Sequence, residues 1–331
     1  MSTVQGDLMQ TSTAGLLPGV APGLAPTAKE KRDFASELRK QTVACRVRHE
    51  KLGVRKALSK EQIKQAATPF HAEAGALSMA KKLLDTRDPA YRAVVNVRSR
   101  SSAYWKAATT PYPEPGVRLI RKDGVSAFQT KMEEFRTELK TAAAALQAKY
   151  SELRENAQQQ LGDLFDDGDY PSRIDDEFEL EWDFPSIEPP AYLKELHPHL
   201  YEQECERIKG RFEEAVRLTE QAFLQKFHEM VAHLAEKLSG KNDGKPKVFR
   251  DSAVENLNSF FAEFRNLDMG SSVEMQALVD KAQKALGGVA IDDLRAPGET
   301  RKTVAEKLGE ITASIDQMMV NKPKRAIEFE D

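Results

Sequence analysis

The densest grouping of metal-capable side chains in the sequence is Asp163, Asp166, Asp167 and Asp169 around Gly168. Closely spaced carboxylates about a glycine have the composition of a calcium loop, which needs oxygen ligands at fixed loop positions and a bidentate carboxylate at position twelve. With Gly168 as the sixth position, the third is Phe165 and the twelfth is Ile174. Neither can ligate calcium, so the register excludes that site. His228, Glu229 and His233 suggest a zincin helix, but the histidines stand five residues apart instead of four, which separates them by about 140° around a helix. A third set, His197, His199 and Cys205, contains Pro198, which suits a helix start, and Cys205 then reads as a core residue. No GxxxxGK[ST], GxGxxG, GxSxG or HExxH pattern occurs, which disfavours nucleotide hydrolysis, dinucleotide chemistry and serine hydrolysis. No catalytic residue, metal or cofactor is assigned, and a non-enzymatic role is expected.

Two further sets of residues have the chemistry of binding surfaces. Arg46, Arg48, Arg55, Lys56, Arg98 and Arg100 supply cations, and Trp105 supplies a ring that stacks on bases, the ingredients of a nucleic-acid interface. Residues 162–190 hold eleven acidic side chains and one basic one, interleaved with Phe165, Tyr170, Phe178, Trp182 and Phe184. An acidic run without rings is solvated, whereas this ring density predicts a segment that packs on helices or docks on a protein partner. Phe329 joins this partner-binding set, because the tail runs from a basic tetrapeptide to Ile327, Phe329 and three acids, like a short linear docking motif. A frayed terminus is the plainer reading of that tail.

The charge asymmetry bears on both sets. Residues 1–125 hold 22 Lys+Arg against 11 Asp+Glu, and residues 126–331 hold 27 against 41. Such a split fits a basic face for nucleic acid or two halves that attract each other within one fold. The two cysteines, Cys45 and Cys205, form no CxxC pair and suggest a reducing cytoplasm. No stretch reaches the ~18 apolar residues that span a bilayer, so no membrane role is expected.

The elements that must position these residues read as helices throughout. Thr27 caps a helix through Phe34, Leu38, Val43 and Val47, ended near Gly53; Ser59 and Gln62 form a capping box for a short helix ending before Pro69. Further helices are expected over 76–84 and from Asp88, with Pro89 in its first turn. Over 126–164, Phe128, Met132, Phe135, Leu139, Ala142, Leu146, Tyr150, Leu153, Ala157, Leu161 and Leu164 recur every three or four residues, the seam of coiled-coil or antiparallel hairpin packing. A second long pattern over 199–238 carries Ile208, Phe212, Phe223, Phe227 and Leu234 and supplies its partner, each rod being about 60 Å long at ~1.5 Å per residue. The predicted fold is therefore all-α: a disordered arm (1–26), a basic helical region (27–125), a long coiled-coil-like hairpin (126–240) with the acidic aromatic insertion (162–190), a small C-terminal helical bundle (248–320) and a tail (321–331).

Residues 80–84 (AKKLL), 110–119 (TPYPEPGVRL) and the long helix ending in Leu161, Gly162, Leu164 and Phe165, followed by Tyr170, Pro171, Phe178 and Pro185, resemble an uncharacterised family of helical proteins from tailed bacteriophages and prophages. The resemblance covers about residues 50–200 and carries no catalytic residue. It implies a phage or prophage product acting in the host bacterial cytoplasm, of a kind whose genes can lie beside AAA+ ATPase and von Willebrand-type genes, and hence a partner role. The expectation is a protein-binding adaptor, with a nucleic-acid-binding accessory factor as the alternative and self-association through the long helices as an accompanying option.

Overall fold

The computed structural model describes residues 28–242, 245–267 and 271–321. The expected arm, the tail and Phe329 lie outside the described residues. Among the described residues the architecture is mostly helical, with ten α-helices and a four-stranded antiparallel sheet that the all-α reading lacks. None of the described helices is long and apolar enough to cross a membrane.

The sheet accounts for the main correction. Helix α1 (Ala28–Gln41) stops where the expected helix was to continue, and Thr42–His49 forms strand β1. Val43 and Val47 satisfy a helical spacing of four, but Val43, Cys45 and Val47 equally satisfy the strand period of two, and the β-branched Thr42, Val43 and Val47 favour the strand. The decision is made by distant partners. β1 pairs on one side with β5 (Val117–Arg121), which pairs in turn with β4 (Thr110–Pro111), and on the other side with β6 (Leu180–Asp183). A small ribbon joins β2 (Arg55–Ala57) to β3 (Ala80–Lys82), so the helix expected over 76–84 is a 3₁₀ turn and a strand instead.

The short helical elements follow their caps. Ser59 and Gln62 form a reciprocal capping box on α2 (Lys60–Ala67), and the Asp88 carboxylate accepts from the N–H groups of Ala90 and Tyr91 to open α3 (Pro89–Ala108). Both were legible from capping chemistry alone.

The two long helices are present as α4 (Val125–Leu161) and α6 (Pro198–Ser239), with the short α5 (Tyr192–Leu196) before the second. They do not form the expected hairpin with each other. α4 packs on α3 and on one face of the sheet, where Cys45, Val47 and Ile120 meet Phe128, Met132 and Leu139. The N-terminal half of α6 packs with α1 on the opposite face, where Ala44, Val117 and Leu119 meet Ile208, Phe212 and Ala215. The sheet supplies an apolar surface on both faces, and each amphipathic rod takes one of them.

The C-terminal half of α6 enters a helical bundle with α7 (Ser252–Leu267), α8 (Val273–Leu286), α9 (Ile291–Arg295) and α10 (Glu299–Asn321). A ring cluster of Phe223, Phe227, Phe260, Phe261 and Phe264 fills its centre. Arg301 is buried and donates to the carbonyls of Lys237 and Leu238 at the end of α6, of Leu294 and Arg295 at the end of α9, and of Lys247. A guanidinium thus satisfies the orphan carbonyls of two helix ends at once.

Candidate functional site

The acidic aromatic segment after α4 does not project. Gly162, with φ of 52°, ends α4 in a conformation that glycine adopts without strain. The chain then runs back along α4. Phe165 stacks on Tyr170 with centroids 4.9 Å apart, Arg154 of α4 pairs with Asp167 at 2.8 Å, and Gln147 of α4 accepts from the N–H of Ile174 at 2.7 Å. Tyr170 and Phe178 are buried, and Phe184 meets Phe128 edge to face. The rings therefore close the core of α4 and are not a presented patch, because packing them on the helix removes more apolar area from water than leaving them exposed. Asp169 is wholly enclosed by Lys56 and Lys81, which stand opposite each other in the β2–β3 ribbon. Of the carboxylates that suggested a calcium loop, Asp167 and Asp169 are thus turned to different cations and Asp166 accepts from the N–H of Gly168.

The same segment then forms β6, one edge of the sheet. Arg46 stands opposite Asp183 and Arg48 opposite Glu181, and the N–H of Glu50 donates to the carbonyl of Glu179 at 2.9 Å. In an antiparallel ladder hydrogen-bonded and non-hydrogen-bonded positions alternate. Residues 179, 181 and 183 consequently turn their backbone groups toward β1, and Leu180 and Trp182 turn theirs to the outer edge. No partner for these outward groups occurs among the described residues.

A groove with a cavity of about 270 Å³ follows this edge, lined by 178–182 and by Arg48, Arg136, Leu139 and Lys140. The Arg136 guanidinium lies 4.2 Å from the centroid of the Trp182 ring, a cation–π contact. Its Nη1 reaches Glu133 at 3.3 Å, and its buried Nε has no hydrogen-bond partner. Lys140, one turn on, is exposed and has no ion-pair partner among the described residues. The groove thus offers main-chain donors and acceptors, an aromatic floor and, on the α4 side, a cationic wall of Arg136 and Lys140 facing Glu179 and Glu181 of the strand side, and it holds no nucleophile beside a base.

The other predicted residues are placed as follows. Arg46 makes a two-pronged contact with Asp183 at 2.8 and 3.1 Å, which holds that carboxyl below its ordinary range. Arg48 reaches Glu181 and Asp183, both at 3.3 Å. Lys56 is held by Asp169, and Arg100 by Glu138 at 2.7 Å. Arg55 is exposed on β2, and the buried Nε of Arg98 has no partner. Trp105 packs in the sheet core with Arg118 6.0 Å above its ring. Cys45 is fully buried, and burial pushes its thiol up to about 12, so it is protonated at neutral pH. His228 pairs with Asp316 at 2.9 Å.

The structure therefore brings Arg48, Phe178 and Trp182 into one groove, holds Arg46, Lys56 and Arg100 in ion pairs, packs Phe165, Tyr170, Phe184 and Trp105 in the core, and gives Arg55 and Arg98 no ion pair among the described residues. Arg136 and Lys140 were missed in the sequence. Their spacing of four marks a cationic stripe on α4, but only the fold lays it against a ring 46 positions away from Arg136. Compared with known proteins, the chain matches no family model, no curated protein and no solved structure.

Proposed function

We propose that the chain is a non-enzymatic adaptor that captures an extended segment of a protein partner along the free edge of β6. The observation that carries this reading is the outward backbone amide and carbonyl of the part-exposed Trp182, next to those of the buried Leu180, beside the groove of Arg136, Lys140 and Trp182. An unpaired edge is a template for strand addition, in which main-chain hydrogen bonds give affinity and flanking side chains give specificity. Natural edges are usually covered or twisted away. At the opposite edge of this sheet, β4 lies against α6. The cationic wall selects partners with acidic side chains, and Trp182 offers an apolar anchor. Such a role agrees with the partner function that the phage resemblance implies.

The nucleic-acid alternative has less support from the geometry, since Arg46, Arg48, Lys56 and Arg100 are each held by a carboxylate of the same chain. Phosphate contacts at these positions would first have to displace those partners.

The test uses the full chain and synthetic nonapeptides that alternate apolar residues with either Glu or Lys. The Glu series is expected to bind and to protect the amides of Leu180 and Trp182 from hydrogen exchange. The double change Arg136→Glu and Lys140→Glu should transfer the preference to the Lys series without altering the fold. Binding that leaves both amides exchanging at their free rates would overturn the reading.

A further inference from the structure

A second cavity, of about 260 Å³, lies where the sheet half meets the bundle, between α3, β4, α6 and α7. It is separate from the β6 groove and plays no part in the proposed peptide capture. Its lining contains two hydroxyls that are buried without any hydrogen-bond partner, those of Thr110 and Thr219. Thr110 is only 5% exposed, and a hydroxyl shut away from water without a partner is destabilising.

The unpartnered state of Thr219 is unusual within this chain. A helical threonine commonly returns its hydroxyl to the carbonyl four residues earlier. Thr130, Thr137, Thr141 and Thr312 all do so, at 2.9–3.1 Å. Thr219 sits in the middle of a long helix with the same option and leaves it unused.

Arg118 also lines this cavity. Its Nε and Nη2 are engaged, by the Thr109 hydroxyl at 2.7 Å, the Thr109 carbonyl at 2.8 Å and the Lys106 carbonyl at 3.3 Å. All of these partners are neutral. No carboxylate pairs with this guanidinium among the described residues, and Nη1 is left without an acceptor. A partly buried charge without a counter-ion is costly, and a bound anion removes that cost. Across the cavity Lys226 is already neutralised by Glu263, and of the two lining cations without a carboxylate partner among the described residues Lys106 is exposed, so Arg118 provides the uncompensated charge that is partly buried. Apolar surface comes from Ala107 and Phe223.

We propose that this cavity binds a small organic monoacid, its carboxylate taking donors from Arg118, Thr110 and Thr219 and its apolar body lying against Ala107 and Phe223. Among the described residues Arg118 is the one unpaired lining cation that is withdrawn from water, Lys106 being exposed, and a single partly buried charge matches a monoanion better than a phosphate dianion. The volume falls below the ~300–1,000 Å³ of sites for drug-sized ligands, which restricts the occupant to metabolite size.

The experiment titrates the full chain with benzoate, phenylacetate and hexanoate, with benzamide as the uncharged match and phenyl phosphate as the dianion. Binding is read by calorimetry and by backbone amide shifts at Thr110 and Thr219. The acids are expected to bind and to move these amides, benzamide at least tenfold more weakly. Thr110→Val and Thr219→Val each remove an unsatisfied hydroxyl, so both variants should keep or exceed the native melting temperature while acid affinity falls at least tenfold. Equal binding of benzoate and benzamide, tighter binding of phenyl phosphate than of benzoate, or unchanged affinity in both valine variants would overturn the proposal. So would the absence of binding by every probe, which would leave the two hydroxyls to water.

Discussion

Helices α4 and α6 look alike in sequence, with 37 and 42 residues and an apolar seam along each, but they are used in different ways. Every buried residue of α4, from Phe128 to Ala157, belongs to one core, closed by α3, the sheet and the returning acidic segment. The buried residues of α6 divide. Ile208, Phe212 and Ala215 serve the sheet, whereas Phe223 to Leu238 serve the bundle. α4 is a wall of one unit, and α6 is the beam that joins two. Periodicity reports which face of a helix is buried, and it is silent about what covers that face. The cavity beside Thr219 falls at the change of partners along α6, where neither core fills the space.

The division of α6 predicts that its two ends fail separately. Phe227→Ala empties the centre of the ring cluster, where Phe227 stacks on Phe260 at 5.2 Å, and should cost about 3–5 kcal/mol. Calorimetry should then resolve an early transition for the bundle ahead of an unmoved one for the sheet half. Phe128→Ala, a change of similar size on α4, should move the sheet transition instead. One cooperative transition shifted equally by both changes would break the comparison. Next in size is Arg301→Met, which preserves apolar bulk but leaves five carbonyl contacts unmade, for a loss of about 3 kcal/mol. Urea unfolding followed by a probe on α10 should register that loss, and a probe on α4 should not.

These differences also mark how far the sequence could be read. The capping residues Ser59 and Asp88, Pro89 and the seams of α4 and α6 act within one or two turns, so a short window contains their cause. The pairing of β1 does not lie in any window. Arg46 finds Asp183 137 positions away, and β1 is a strand because β5 and β6 flank it. An all-α reading follows naturally when the strands are short and one of them has valines spaced by four. The candidate site was legible in part for the same reason. Trp182 stood out as a ring in an acidic run, but its edge position and the cation of Arg136 above it depend on topology. The excess of positive charge in residues 1–125 is answered across the fold, in pairs such as Arg46 with Asp183 and Lys56 with Asp169.

The smallest expected effect sharpens the account of α4, whose core is closed by a loop where that of α6 is closed by helices. Asp169 pins this loop to the β2–β3 ribbon. Its burial pushes the carboxyl pKa up, but hydrogen bonds from Lys56 and Lys81 outweigh burial and hold it below the ordinary value. A lowered folded-state pKa means that the stabilisation is fully present above the unfolded value of ~3.9 and disappears as pH falls through the folded one. Asp169→Asn keeps the shape, loses the charge and leaves two lysines facing each other, at a cost of roughly 1–3 kcal/mol. The stability gap between the native chain and this variant, measured by urea unfolding, should therefore be constant from pH 6 to about pH 5 and shrink as the pH falls below the unfolded value and through the lowered folded one. Hydrogen exchange at Tyr170 should quicken in the variant over the same range. A gap that persists undiminished in acid would show that the loop is held by ring packing alone, with the ion pairs contributing nothing.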